Sequence, residues 1–247
     1  MKVYRTVMKK NPDRFEVGDV IKLGKYTATC QLVDDLAIFM LDQYLDKPYD
    51  HEADMLIRLN EDLKNDNNFK KIRKHLVKWD DVYTDGLYFR LPYLGEMFDV
   101  DKDNLKEYFE PDCDNSWCTQ WQLMKNRKNR IAIREGEEYE WGWLMNKYKN
   151  SAAYFADVTA RGYANGTSAS NTYIGVRPVF CVEATCRRDY KSYKFRDAVN
   201  NAHWIDNHNG TISCSHCHTW FNKDDRYSYM RFCPYCNVRM AESGDKG

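Results

Sequence analysis

The sequence predicts a mixed α+β fold followed by a small zinc ribbon. Three observations point there. Apolar and polar residues alternate over 15–26 as strands do, apolar residues recur at helical spacing between 55 and 79, and Cys214, Cys217, Cys233 and Cys236 form two Cys-x-x-Cys pairs fifteen residues apart.

The strand signal begins at 15–26, where apolar and polar residues alternate around Gly18 and Gly24, the pattern of a bent β-hairpin. The apolar run 36–41 has the length of a buried central strand. Two helices are expected next. Met55, Leu56, Leu59 and Leu63 define the first; Phe69, Ile72, Leu76 and Trp79 define the second, with 65–68 (Asn-Asp-Asn-Asn) supplying its cap. Lys70, Lys71, Arg73, Lys74 and Lys78 then form the solvated outer face of that second helix. A strand at 88–94 is either held to an edge or ended by Pro92.

Residues 117–182 are aromatic and rich in turns, and Trp117, Trp121, Trp141 and Trp143 are expected to bury large areas. Residues 174–182 read as a closing strand with Arg177 and Pro178 near its edge. Between the tryptophans and that strand, 161–173 is expected to be a loop of small residues with Asn165-Gly166 at its tip. Its mixture of Gly, Ser, Asn and Tyr is also that of adaptable binding loops, which makes Tyr163, Asn165, Ser168, Ser170, Asn171 and Tyr173 candidate partner-binding residues. Arg187, Arg188 and Lys191 join them from a basic stretch that separates the aromatic region from the ribbon. The expected organisation is an α+β domain over 1–185, a polar basic linker over 186–201 and the ribbon over 202–247.

Zinc favours four thiolates at tetrahedral positions, and each Cys-x-x-Cys knuckle aims two sulfurs at one point. A segment this short buries too little apolar surface to fold alone, so the metal supplies its stability, on the order of 10 kcal/mol in comparable sites. One structural Zn2+ on Cys214, Cys217, Cys233 and Cys236 is therefore expected. Trp220, Phe221, Tyr227, Tyr229 and Phe232 are read as the ribbon's own core in preference to a base-stacking face. Cys113 and Cys118, like Cys181 and Cys186, are spaced more loosely, and a small buried hydrophobe is the simpler reading for each.

The 247 residues carry 37 basic and 37 acidic side chains, so no global charge draws the chain to nucleic acid or to an anionic membrane. No apolar run is long enough to span a bilayer, and the N-terminus lacks the hydrophobic stretch of a signal peptide. A cytoplasmic protein with reduced thiols is expected. The sequence has no Gly-x-Ser-x-Gly elbow, no His-Glu-x-x-His and no phosphate-binding Walker loop, which favours a non-enzyme.

The segments 17–26, 141–146 (Trp-Gly-Trp-Leu-Met-Asn) and 174–178 (Ile-Gly-Val-Arg-Pro) stand in the order found in DUF6273 domains, and the chain resembles that family over residues 15 to 183. Where the family commonly has Leu-Arg-Ser after its tryptophans, this chain has Leu144-Met145-Asn146. The resemblance implies a scaffold similar to the C-type-lectin and formylglycine-generating-enzyme fold, with binding carried by irregular loops. The tail resembles zinc ribbons of small phage and prophage proteins, which implies a bacterial host cytoplasm. Taken with the residues, this gives a phage- or prophage-encoded binding protein with a macromolecular partner, a protein in the first reading. A counter-defence inhibitor such as an anti-CRISPR is a special case. The alternative is a nucleic-acid-binding accessory protein that uses the ribbon and the adjacent basic residues.

Overall fold

The computed structural model describes residues 13–113, 115–134, 140–189, 192–194, 204–208, 211–214 and 220–222. The chain is a mixed α+β protein of mostly antiparallel sheets, and it divides into two compact units, Met1–Lys194 and Phe195–Gly247.

In the first unit the expected hairpin forms. Strands β1 (Asp19–Leu23) and β2 (Tyr26–Val33) pair antiparallel with Leu23 opposite Tyr26. The two-residue turn between them starts at Gly24, whose φ of +58° suits glycine and whose missing Cβ makes room for the Asn68 side chain. The apolar run becomes β3 (Leu36–Leu41), a central strand as expected, with Ala37, Phe39, Met40 and Leu41 buried. One expected helix forms as α1 (Met55–Asn65), which buries Met55, Leu59 and Leu63 along one face.

The second expected helix does not form. Asp66 caps as anticipated, accepting from the Asn68 amide at 2.8 Å, but a single 3-10 turn (Asn67–Phe69) follows, then another at Arg73–His75. Leu76 and Val77 instead become strand β4 (Leu76–Val77). Phe69 and Ile72 are buried as helical spacing required, so the periodicity marked core contacts rather than helix continuation. The basic residues 70–78 consequently do not share one helical face.

Short strand β5 (Phe89–Arg90) and the one-turn helix α2 (Leu94–Met97) surround a buried ion pair. Arg90 donates to both Glu96 oxygens, at 2.8 and 2.6 Å, and lies 4.2 Å from the Trp79 ring centroid and 4.6 Å from that of Tyr93. Glu96 also accepts from the Tyr93 amide, which closes a capping box on α2.

The Trp-rich region builds a second sheet from β6 (Gly142–Tyr148), β7 (Ser151–Val158) and β8 (Ala164–Ser168), in that order. Strand β8 corrects the expectation of a plain loop at 161–173. The chain reverses earlier, at Thr159–Tyr163, where Gly162 takes φ +77°, and this puts Asn165 opposite Asp157 in the ladder rather than at a tip. Of the tryptophans, Trp143 and Trp121 are buried, but Trp141 is 41% exposed, against the expectation that it belongs to the core.

The closing strand β9 (Val179–Glu183) pairs with β3 on one side and with β4 and β5 on the other. It is an interior strand, and Arg177 just before it is buried, donating to the carbonyls of Leu41 at 2.5 Å and Asn129 at 2.9 Å. Strand β10 (Ser192–Lys194) pairs with β1, so part of the stretch read as linker completes this sheet, whose main path runs β10-β1-β2-β3-β9-β4. Two apolar clusters result. One lies around Phe39, Phe69, Trp143 and Phe180, the other around Met40, Phe98, Trp121 and Val179.

The second unit contains β11 (Trp204–Asp206), β12 (Thr211–Cys214) and β13 (Trp220–Asn222), paired antiparallel in that order.

Candidate functional site

Strand β8 is the edge of its sheet, and its ladder to β7 fixes which backbone groups face away. The Ala169 amide donates to Ala153 and the Thr159 amide to the Tyr163 carbonyl, which makes 169/153 and 163/159 hydrogen-bonded pairs. In an antiparallel ladder such pairs recur at every second residue, so the amides and carbonyls of Ala164, Gly166 and Ser168 point outward. The Ser168 carbonyl takes the Asn171 amide at 3.0 Å; no other strand pairs with this edge among the described residues.

Exposed aromatic side chains flank the edge. Tyr154 stands opposite Ser168 and is 45% exposed, Tyr163 directly precedes the strand, and Tyr173 follows the turn after it at 86% exposure. The Trp141 carbonyl accepts from the Gly175 amide at 2.8 Å, two residues after Tyr173. Large aromatics beside unpaired backbone are the groups that carry protein–protein contacts.

The expected partner-binding residues separate into distinct roles. Tyr163 is exposed, and Arg127 both donates to its hydroxyl and lies 4.8 Å from its ring centroid. Ser168 and Ser170 place their hydroxyls 3.1 Å apart, and Asn171 Oδ1 accepts from the Tyr173 amide at 2.9 Å, so these residues shape the turn that presents Tyr173. Asn165 faces inward, donating to Asp157 Oδ2 and Thr167 Oγ1, both at 3.3 Å. Arg187 donates to the buried Asp19 carboxylate at 3.0 Å and so braces the sheet. The side chain of Arg188 and all of Lys191 lie outside the described residues.

Beneath this surface two titratable groups are buried. Burial pushes the Asp157 carboxyl up to about 6, against the lowering effect of bonds from Thr167 and Asn165, and among the described residues its Oδ1 has no hydrogen-bond partner. His51 stacks 3.7 Å from the Phe155 ring and meets Trp143 edge-on at 5.2 Å, with Nε2 2.9 Å from the Leu144 carbonyl oxygen. Burial drives its pKa down to about 4, so it is a neutral imidazole donating to that carbonyl at pH 7.

For zinc, the structure describes the backbone of Cys214, which ends β12; Cys217, Cys233 and Cys236 lie outside the described residues. Ser213 pairs with Trp220, so β12 and β13 run antiparallel, with Cys214 at the end of β12. Among the described residues no group of three or more His, Cys, Asp or Glu side chains is arranged to hold a metal. Cys181 donates to the Val77 carbonyl at 3.3 Å, with its thiol pushed up to about 11 by burial; burial also raises Cys118 strongly. Both are protonated thiols at neutral pH, poor ligands and poor nucleophiles.

The sequence reading missed Tyr154 and Trp141 as exposed residues. The adjacent pair Tyr154-Phe155 in an alternating strand was the available signal, since neighbours in a strand face opposite ways. No helix among the described residues is long and apolar enough to cross a membrane. No family model, curated protein or solved structure matches the chain.

Proposed function

We propose that the chain is a non-enzymatic binding protein whose larger unit engages a protein partner along β8. The observation that carries this reading is the outward backbone edge at Ala164, Gly166 and Ser168 flanked by exposed Tyr154, Tyr163 and Tyr173. An extended partner segment gains affinity from the ladder bonds and specificity from the aromatic side chains. The small residues of β8 leave its edge open to approach. A nucleic-acid role is less well supported, because formal charge is zero and Arg187 is engaged by Asp19.

In this reading the second unit is a ribbon built on one structural zinc held by Cys214, Cys217, Cys233 and Cys236. Its thiolates supply a stabilising tetrahedron and no reactive position. The resemblance to DUF6273 domains and to phage-type ribbons supports an origin in phage or prophage and a site of action in the bacterial cytoplasm. Inhibition of a host defence nuclease is one special case of this reading.

Affinity capture from nuclease-treated bacterial lysate, with wild type beside a Tyr154→Ser/Tyr173→Ser variant, tests the proposal. A protein retained after nuclease digestion and lost with the variant is expected. Recovery only through nucleic acid, or equal recovery by the variant, would overturn it.

A further inference from the structure

A cavity of about 560 Å3 opens on the larger unit where three segments meet. The turn 99–104 contributes Asp99, Lys102 and Asp103, the two 3-10 turns Gln122–Lys125 and Arg127–Arg130 contribute Lys125 and Arg130, and the approach to β8 contributes Tyr163. The volume lies in the range of small-molecule sites, roughly 300 to 1,000 Å3.

Its walls are preset. The Asp103 amide donates to the Asp99 carbonyl at 3.0 Å and the Asn104 amide to that of Asp101 at 3.2 Å, while Asn104 takes the left-handed φ of 54° that closes the turn. Arg130 is held by three contacts: Nε donates to the Met124 carbonyl at 2.7 Å, Nη1 to that of Gly162 at 3.5 Å, and the guanidinium lies 4.6 Å from the Phe98 ring centroid. Among the described residues no carboxylate forms an ion pair with Arg130, and none does so with Lys102 or Lys125. Burial lowers the Arg130 pKa, with Asp103 opposing that shift through space. A partly desolvated guanidinium without a paired anion is stabilised by any anion that enters.

The wall is not uniformly cationic, and that narrows the ligand. A bare inorganic anion would meet Asp99 and Asp103 as like charges and leave the Tyr163 ring unused. A ligand with an anionic end, hydroxyl donors and a flat apolar ring matches all three kinds of group. We propose that this cavity binds a nucleoside phosphate, with the phosphates at Lys102, Lys125 and Arg130, ribose hydroxyls donating to Asp99 or Asp103, and the base against Tyr163. Carboxylates commonly accept from ribose hydroxyls, and a tyrosine ring stacks with any base. Arg127 already covers part of Tyr163 and holds its hydroxyl, so the ring is oriented before a base arrives. The cavity shares Tyr163 and Ala164 with the proposed docking edge but not Tyr154 or Tyr173, so failure of nucleotide binding and failure of the Tyr154→Ser/Tyr173→Ser capture are distinguishable.

Calorimetric titration of the full chain with ADP, pyrophosphate and adenosine tests it. ADP is expected to bind at sub-millimolar concentration and adenosine far more weakly. The Lys102→Ala/Lys125→Ala variant, which removes only exposed side chains, should weaken both ADP and pyrophosphate at least tenfold. Tyr163→Ala should weaken ADP several-fold and leave pyrophosphate unchanged. Absence of ADP binding at millimolar concentration, or equal ADP affinity in the double-lysine variant, overturns the site. Pyrophosphate binding as tight as ADP and indifference to Tyr163→Ala overturn the nucleoside assignment.

Discussion

His51 and Asp157 lie under the same sheet and respond to acid in opposite directions. His51 is lowered from an ordinary value near 6.5 to about 4, so the neutral ring's contribution is present above 6.5 and is lost as pH falls through 4. A shift of this size corresponds to about 3 kcal/mol. His51→Gln should therefore flatten the acid limb of a stability-against-pH curve from denaturant melts, and an unchanged limb would contradict the burial of a neutral ring. Asp157 is raised to about 6, so the folded state favours its protonated form and stability is lost as pH rises from about 4 to 6. Asp157→Asn should accordingly be more stable than wild type by up to about 3 kcal/mol at pH 7. That advantage should vanish below pH 4. A destabilised Asp157→Asn at pH 7 would mean that the carboxylate has a cationic partner that these contacts do not include.

At the scale of elements, the segments 141–146 and 174–178 turn out to meet. Gly142 and Gly175 bridge in parallel, the Trp143 amide donates to the Gly175 carbonyl at 3.0 Å, and both glycines pack on the Tyr44 ring. A Cβ at Gly175 would stand 2.4 Å from the ring, and one at Gly142 2.4 Å from the hydroxyl oxygen. Gly175→Ala should cost about 3 kcal/mol as an overpacking change, measured by thermal or denaturant unfolding, and adding Tyr44→Leu should recover part of it. A neutral Gly175→Ala would show that the ring is free to move. The glycines were visible in the sequence, but their reason was not, because Tyr44 lies far away in the chain. The same locality explains the other differences. Phe69 and Ile72 advertise burial correctly, yet β9 offers Leu76 and Val77 a ladder, and that tertiary pairing overrides helical periodicity. Strand β8 was missed because Ala164, Asn165, Gly166, Thr167 and Ser168 carry a turn-like composition, while Gly166 leaves the space that the Tyr148 ring fills. Strands β1 to β3 and helix α1 were legible because hairpin alternation and a single amphipathic face are local signals.

For the whole molecule, the division into Met1–Lys194 and Phe195–Gly247 joins a unit with two apolar clusters to a small one whose expected stability comes from metal. Elemental analysis should find one zinc per chain. Chelation followed by limited proteolysis should open the second unit and leave the first resistant, with cuts beyond the β10 ladder to β1. Loss of both units in one transition would contradict their independence. Composition made 161–173 a candidate binding segment, but only the ladder to β7 shows that the backbone groups of Ala164, Gly166 and Ser168 point outward while Asn165 bonds Asp157. The most direct test of the proposed docking edge is hydrogen–deuterium exchange across the chain, free and bound to its captured protein partner. The account predicts slower exchange over 164–168 and the turn to Tyr173 on binding; protection confined to the second unit, with β8 unchanged, would contradict it.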